Sequence, residues 1–125
     1  MGLFRRRQKQ PKLRALEPFY SKIRGVTHKN PDGTSRQQLL KRCKVGQPLK
    51  LVREHDNPFD ENAVRVLTMK GKQLGYLGGE AAEEIAPRLD AGGRVDCEIS
   101  DLTGGGLFRK RTRGCNIKIT KYDVR

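Results

Sequence analysis

The chain has 125 residues, enough for one domain with a modest core, and a formal net charge of +13. It contains no apolar run long enough to span a bilayer and no hydrophobic stretch of the secretory-leader kind, so no membrane partner is expected. Cys43, Cys97 and Cys115 are odd in number, widely spaced and without a Cys-x-x-Cys pair, which speaks against a disulfide framework or a zinc site. A reducing, cytoplasmic setting with no metal and no cofactor is the expectation.

The placement of the charge says more than its total. Residues 1–14 hold Arg5, Arg6, Arg7, Lys9, Lys12 and Arg14 and no acid, a net of +6. Residues 109–125 hold Arg109, Lys110, Arg111, Arg113, Lys118, Lys121 and Arg125 against Asp123, again +6. The body between them is nearly neutral. Clustered cations uncompensated by acids are the footprint expected of a polyanion binder, because each neutralised phosphate releases condensed counterions. A protein kept soluble by its charge is the plainer alternative.

In chain order, residues 1–18 lack periodicity and are read as a flexible basic arm, and residues 19–125 as the folded domain. Phe19 to Val26 reads as a strand closed by Gly25. A helix follows over Ser35–Cys43, with Thr34 and Gln37 in capping-box spacing. Gly46-Gln47-Pro48 turns the chain into a strand over Leu49–Glu54. After a proline-containing turn, Ala63–Thr68 and Gln73–Leu77 form a hairpin about Lys70-Gly71. Glu80–Asp90 is the second helix, and Pro87 predicts a kink or an early end near Ala86. Val95, Cys97 and Ile99 alternate with polar residues, as do Cys115, Ile117 and Ile119, giving two half-buried strands and placing both cysteines as buried thiols. A basic loop, 104–114, joins them. Two helices are too few for a doubly wound parallel sheet. A mainly β, α+β fold built on a small modified OB-like antiparallel β-barrel fits better.

The densest stretch runs from Arg53 to Ala63. Asp56, Asn57, Asp60 and Asn62 are short polar side chains that cap turns, so the residues alone describe a self-capped loop between strands. A calcium loop of the EF-hand kind fails, since its third and sixth positions counted from Asp56 are Pro58 and Glu61. Thr103-Gly104-Gly105-Gly106 has no following Gly-Lys-Ser/Thr and is a loop rather than a phosphate cradle. With no nucleophile elbow, HExxH or paired-cysteine zinc site, no enzymatic activity is expected.

The order Val52-Arg53-Glu54, Asp56-Asn57-Pro58-Phe59-Asp60-x-Asn62-Ala63-Val64-x-Val66, Leu74-Gly75-Tyr76-Leu77 and Ala86-Pro87-x-Leu89-Asp90 resembles the HIRAN domain family, over about Ile23 to Thr120. The resemblance implies an OB-like barrel that captures the 3′ end of single-stranded DNA. It implies further that Phe59 packs on the terminal base, that Asp60 accepts a hydrogen bond from the 3′-hydroxyl, and that Asp56 and Asn57 line the pocket or shape its turn. Thr27 and His28 stand where relatives carry an Arg-Tyr pair, and Tyr76 where they carry His. His28 is either a stacking residue or a surface turn residue. A basic residue of the relatives gives way to Gly78-Gly79, which leaves Arg109, Lys110, Arg111 and Arg113 as candidate phosphate contacts. The expected partner is single-stranded DNA. RNA or a ribosome is the first alternative, and an adaptor role toward a helicase or nuclease is the second.

Overall fold

A computed structural model describes residues 12–105 and 112–124, which form seven strands and two helices. These are β1 (Leu13–Ala15), β2 (Phe19–Arg24), α1 (Arg36–Lys41), β3 (Pro48–Arg53), β4 (Val64–Thr68), β5 (Gln73–Leu77), α2 (Gly79–Asp90), β6 (Val95–Thr103) and β7 (Gly114–Val124). All pairings are antiparallel, in the order β1-β7-β2-β5-β4-β3-β6, and β6 returns to β7. Six strands therefore close into a barrel, leaving only the short β1 as an edge. The mainly β class and the OB-like barrel expected from the sequence are what the chain adopts.

The alternating strands turn one set of side chains inward. Ile23, Val64, Val66, Leu74, Leu77, Cys97, Ile99, Cys115, Ile117 and Ile119 are buried in one cluster. Ala81, Ala82, Ile85 and Ala86 of α2 join it, and α2 lies against β3, β4 and β6. Full burial of Ile85 alone contributes about 1.5–3 kcal/mol. Cys97 and Cys115 are buried free thiols, as expected, and burial pushes both up to about 12. Neither is a ready nucleophile.

Four local expectations change. Leu13–Ala15, placed in the arm by its lack of periodicity, pairs with Tyr122–Val124 of β7. Three exposed residues leave no hydrophobic pattern, and the pairing depends on a strand distant in sequence. The cap of α1 is Ser35, whose hydroxyl accepts from the Gln38 N–H at 3.2 Å. Thr34 is occupied instead with Asp32, to which its backbone N–H and its hydroxyl both donate. Gln37 is drawn away from any cap by long-range partners described below. Finally, α2 continues through Pro87 to Asp90. The missing Pro87 N–H leaves only the Glu83 carbonyl unpaired, and both residues face water. Beyond it Arg88 anchors the last turn, donating to the Tyr122 carbonyl at 3.0 Å and to Asp123 at 2.8 Å.

Candidate nucleic-acid interface

Each residue of the Arg53–Ala63 stretch has a task in closing the β3–β4 connection. The Asn57 side-chain oxygen accepts from the N–H of Phe59 at 2.8 Å and of Asp60 at 3.0 Å, an Asx turn that fixes the backbone around Pro58. One carboxylate oxygen of Asp60 accepts from the Asn62 N–H at 2.8 Å, and its carbonyl accepts from Ala63 at 3.2 Å. Ala63 is buried and returns the chain to β4, its carbonyl taking the Glu54 N–H at 2.9 Å. Arg53 clamps the loop from beneath, donating to the carbonyls of Ala63 (2.7 Å) and Glu61 (3.0 Å) and to Asp90 (2.9 Å). Asp90 also meets His55 Nε2 at 2.9 Å. Hydrogen bonds from Arg53 first, and from His55 second, hold the Asp90 carboxyl below the usual carboxylate range.

The consequence is the position of Phe59. Its backbone N–H is pinned, yet the residue is 96% exposed. A large aromatic held open on a hydrogen-bonded loop contributes almost nothing to the core, so its exposure has to be explained by what it meets. Phe59→Ala is expected to leave Tm within about 2 °C, since an exposed substitution changes stability by roughly 0.5 kcal/mol or less. The same change should cost about 1–3 kcal/mol in binding a single strand. Thermal melting and fluorescence anisotropy on one preparation check both, and a large fall in Tm would make the ring a packing residue.

A second set of residues gathers on the neighbouring strand. Tyr76 is half-buried on β5, and its hydroxyl is pushed up by burial first and then by the Glu54 carboxylate beside it. Glu54 opens the β3–β4 loop and accepts from the Asn57 amide at 3.5 Å, so Tyr76 borders the loop that carries Phe59. On its other side is the turn after β2. A Cβ placed on Gly25 would stand 3.2 Å from Arg36 Nη1, 3.7 Å from the His28 ring and 4.0 Å from the Tyr76 ring. Thr27 and His28 are exposed in this turn. Arg36 is buried, donating to the Gly25 carbonyl at 2.9 Å and to Asn30 at 2.7 Å, and its guanidinium lies 5.7 Å from the Tyr76 ring centre.

The structure thus brings His28, Tyr76, Asn57, Phe59 and Asp60 to one side of the barrel, with exposed Asp56 in the same loop. Arg113 joins through Gln37, which accepts from its N–H at 2.7 Å, donates to its carbonyl at 2.9 Å and donates to the Val26 carbonyl at 3.0 Å. The base of the basic loop is therefore tied to the turn that bears His28. Arg109, Lys110 and Arg111 lie outside the described residues.

Three arginines escaped the sequence reading. Arg36 looked like an ordinary helical cation, because its acceptors are backbone and amide oxygens that no charge pattern announces. Arg24 and Arg65 are the register partners of Tyr76 on either side, forming a row across three strands. Their position after alternating apolar residues marks the outward face but not the neighbours they meet there. Among the described residues no three potential metal ligands converge, and no helix is long and apolar enough to cross a membrane.

Comparison with known proteins agrees with this arrangement of elements. No curated protein sequence matches the chain. Two solved structures share the fold at a TM-score of 0.68 each. The HIRAN domain of human HLTF is 17% identical, over 90% of this chain and 81% of that one. A protein from Lactobacillus plantarum is 20% identical, over 91% of this chain and 99% of its own. The family model for the HIRAN domain matches residues 19–100, from the first barrel strand through the loop of Phe59 and the glycine of β5 to β6. This chain is a member of the HIRAN domain family.

Proposed function

We propose that the chain binds single-stranded nucleic acid, DNA in the first instance, and holds a free 3′-hydroxyl end between Phe59, Asp60, Tyr76 and His28. The observation that carries this reading is the open Phe59 ring on a loop fixed by Asn57 and Arg53. A base face stacks on such a ring whatever its sequence, and a flexible single strand can turn a base onto it. Asp60 commits one oxygen to the Asn62 N–H, and its second oxygen is the acceptor assigned to the terminal hydroxyl. Arg24, Arg113 and the basic segments supply charge for phosphates. The role assigned to the chain is binding, without a chemical step.

The experiment is a fluorescence-anisotropy series with single-stranded, duplex, RNA and end-blocked oligonucleotides. Tightest binding to the single strand with a free 3′ end supports the reading. Equal binding to RNA removes the preference for DNA, and failure to bind any nucleic acid removes the reading itself. Salt gives an independent check. Three to five neutralised phosphates predict a log–log slope of about −2 to −3.5. Removing residues 1–11, which carry Arg5, Arg6, Arg7 and Lys9, should flatten that slope while sparing the β1–β7 pairing. Affinity flat between low and physiological salt would overturn the electrostatic part.

A further inference from the structure

The outward face of β2 carries two groups that the end pocket does not use, Tyr20 and Lys22, in line with Arg24 at its border. Tyr20, Lys22 and Arg24 are exposed, whereas Phe19, Ser21 and Ile23 are buried or half-buried. Tyr20 is 64% exposed, and β2 already supplies the core through Ile23 with Phe19 packed against it, so the Tyr20 ring is not spent on folding. Among the described residues neither Lys22 nor Arg24 enters an ion pair, although Lys118 on the next strand is paired with Glu98. The register opposite them is free of acids: Tyr20 faces Lys118, Lys22 faces Asn116 and Arg24 faces Tyr76.

The two ends of this stripe are fixed by different neighbours. At one end Arg24, Tyr76 and Arg65 form the row that borders the end pocket, and Arg65 Nε is buried there without a hydrogen-bond partner among the described residues. Lys22 stands at the root of the basic β6–β7 connection, with its Cε 3.6 Å from where a Gly114 Cβ would be. Tyr20 is four residues from Arg24 along an extended strand, about 13 Å away.

From this placement we infer a second nucleotide subsite: Tyr20 stacks an upstream base of the same single strand, and Lys22 and Arg24 hold the phosphates between it and the end pocket. The inference rests on the proposed single-strand reading and extends it. An aromatic followed by two cations that have no ion-pair partner among the described residues, all on one face, repeats the base-and-phosphate alternation of a single strand. A path of this length brings the footprint into the range of roughly 4–16 nucleotides usual for an OB-type barrel.

The test is anisotropy on the full chain with oligothymidylates of two, four, six and eight nucleotides, for the parent, Tyr20→Ala, Tyr20→Phe and Lys22→Ala. The parent should tighten steeply between two and six nucleotides. Tyr20→Ala should match the parent on the dimer and lose roughly 5- to 100-fold on the hexamer, while Tyr20→Phe keeps the parent's affinity. Lys22→Ala should reduce the hexamer salt slope by about 0.7. Parent-like binding of the hexamer by Tyr20→Ala, or an equal loss on dimer and hexamer, overturns the second subsite. Dimer binding without any gain in length overturns it too, yet leaves the end pocket standing. An absence of binding at every length overturns both.

Discussion

Replacing Gly75 by alanine is expected to destabilise the domain by roughly 3 kcal/mol or more, a fall in Tm of order 10–20 °C. An added Cβ would collide with the Arg24 backbone carbonyl and come within 2.6 Å of Ile23 Cγ2. Neither neighbour can retreat. The Arg24 carbonyl belongs to the β2–β5 junction, where Ile23 pairs with Leu77 and Arg24 with Tyr76, and Ile23 is fully buried. The backbone angle adds to the cost, because Gly75 has φ +158°, a conformation that residues with a Cβ rarely adopt. Gly79→Ala is the matched contrast. It lies in the first turn of α2 with nothing within 4 Å of the new methyl, so it should be neutral or stabilise by about 0.4–1 kcal/mol. Thermal melting of the two variants decides the matter: equal melting temperatures would show that β2 and β5 can move apart. Because Tyr76 follows Gly75 on β5 and pairs with Arg24 of β2, surviving Gly75→Ala protein should also bind a single strand less well.

A 3′-phosphate is expected to weaken binding by roughly ten- to a hundredfold relative to a free 3′-hydroxyl, and Asp60 is the group expected to read the difference. A carboxylate accepts but cannot donate, so it favours a hydroxyl and repels a phosphate. The same carboxylate caps its own turn through the Asn62 N–H, so the two roles must be separated by the choice of variant. Asp60→Asn retains a side-chain carbonyl for the cap and removes the charge. It should keep Tm nearly unchanged, abolish the discrimination and improve affinity for the phosphorylated end. Asp60→Ala removes both functions and should in addition lose about 1 kcal/mol of stability, as for other lost caps. Competition between free and blocked oligonucleotides on the parent gives the decisive reading. Equal affinity for the two ends would remove end recognition and leave general single-strand binding.

How much of the site could be read in advance depends on how local its physics is. The Asn57-Pro58-Phe59-Asp60 turn is built by side chains that bond backbone two or three residues away, so its form was visible in the order of residues. The exposure of Phe59 follows from its place outside both strand alternations. His28 and Tyr76, by contrast, are separated in sequence by α1, β3 and β4, and only the closeness of both to Gly25 makes them neighbours. Gln37 fitted a helix cap by spacing and proved to be a tie between Val26 and Arg113, because two distant carbonyls and an amide outcompete a local cap.

By itself the sequence determined the class of fold, the inward and outward faces of β6 and β7, the burial of Cys97 and Cys115, and the turn that presents Phe59. Those properties rest on alternation and on contacts within a few residues, which any single stretch of chain carries in full. The tertiary structure alone decided that β6 closes back on β7, that Leu13–Ala15 is a strand, and that Gly75 is needed where β5 pairs with β2. It alone also set Arg24 and Arg65 on either side of Tyr76. Register between strands far apart in the chain is fixed by barrel closure and the packing of one shared core, and no local pattern of residues encodes which side chain will stand opposite which.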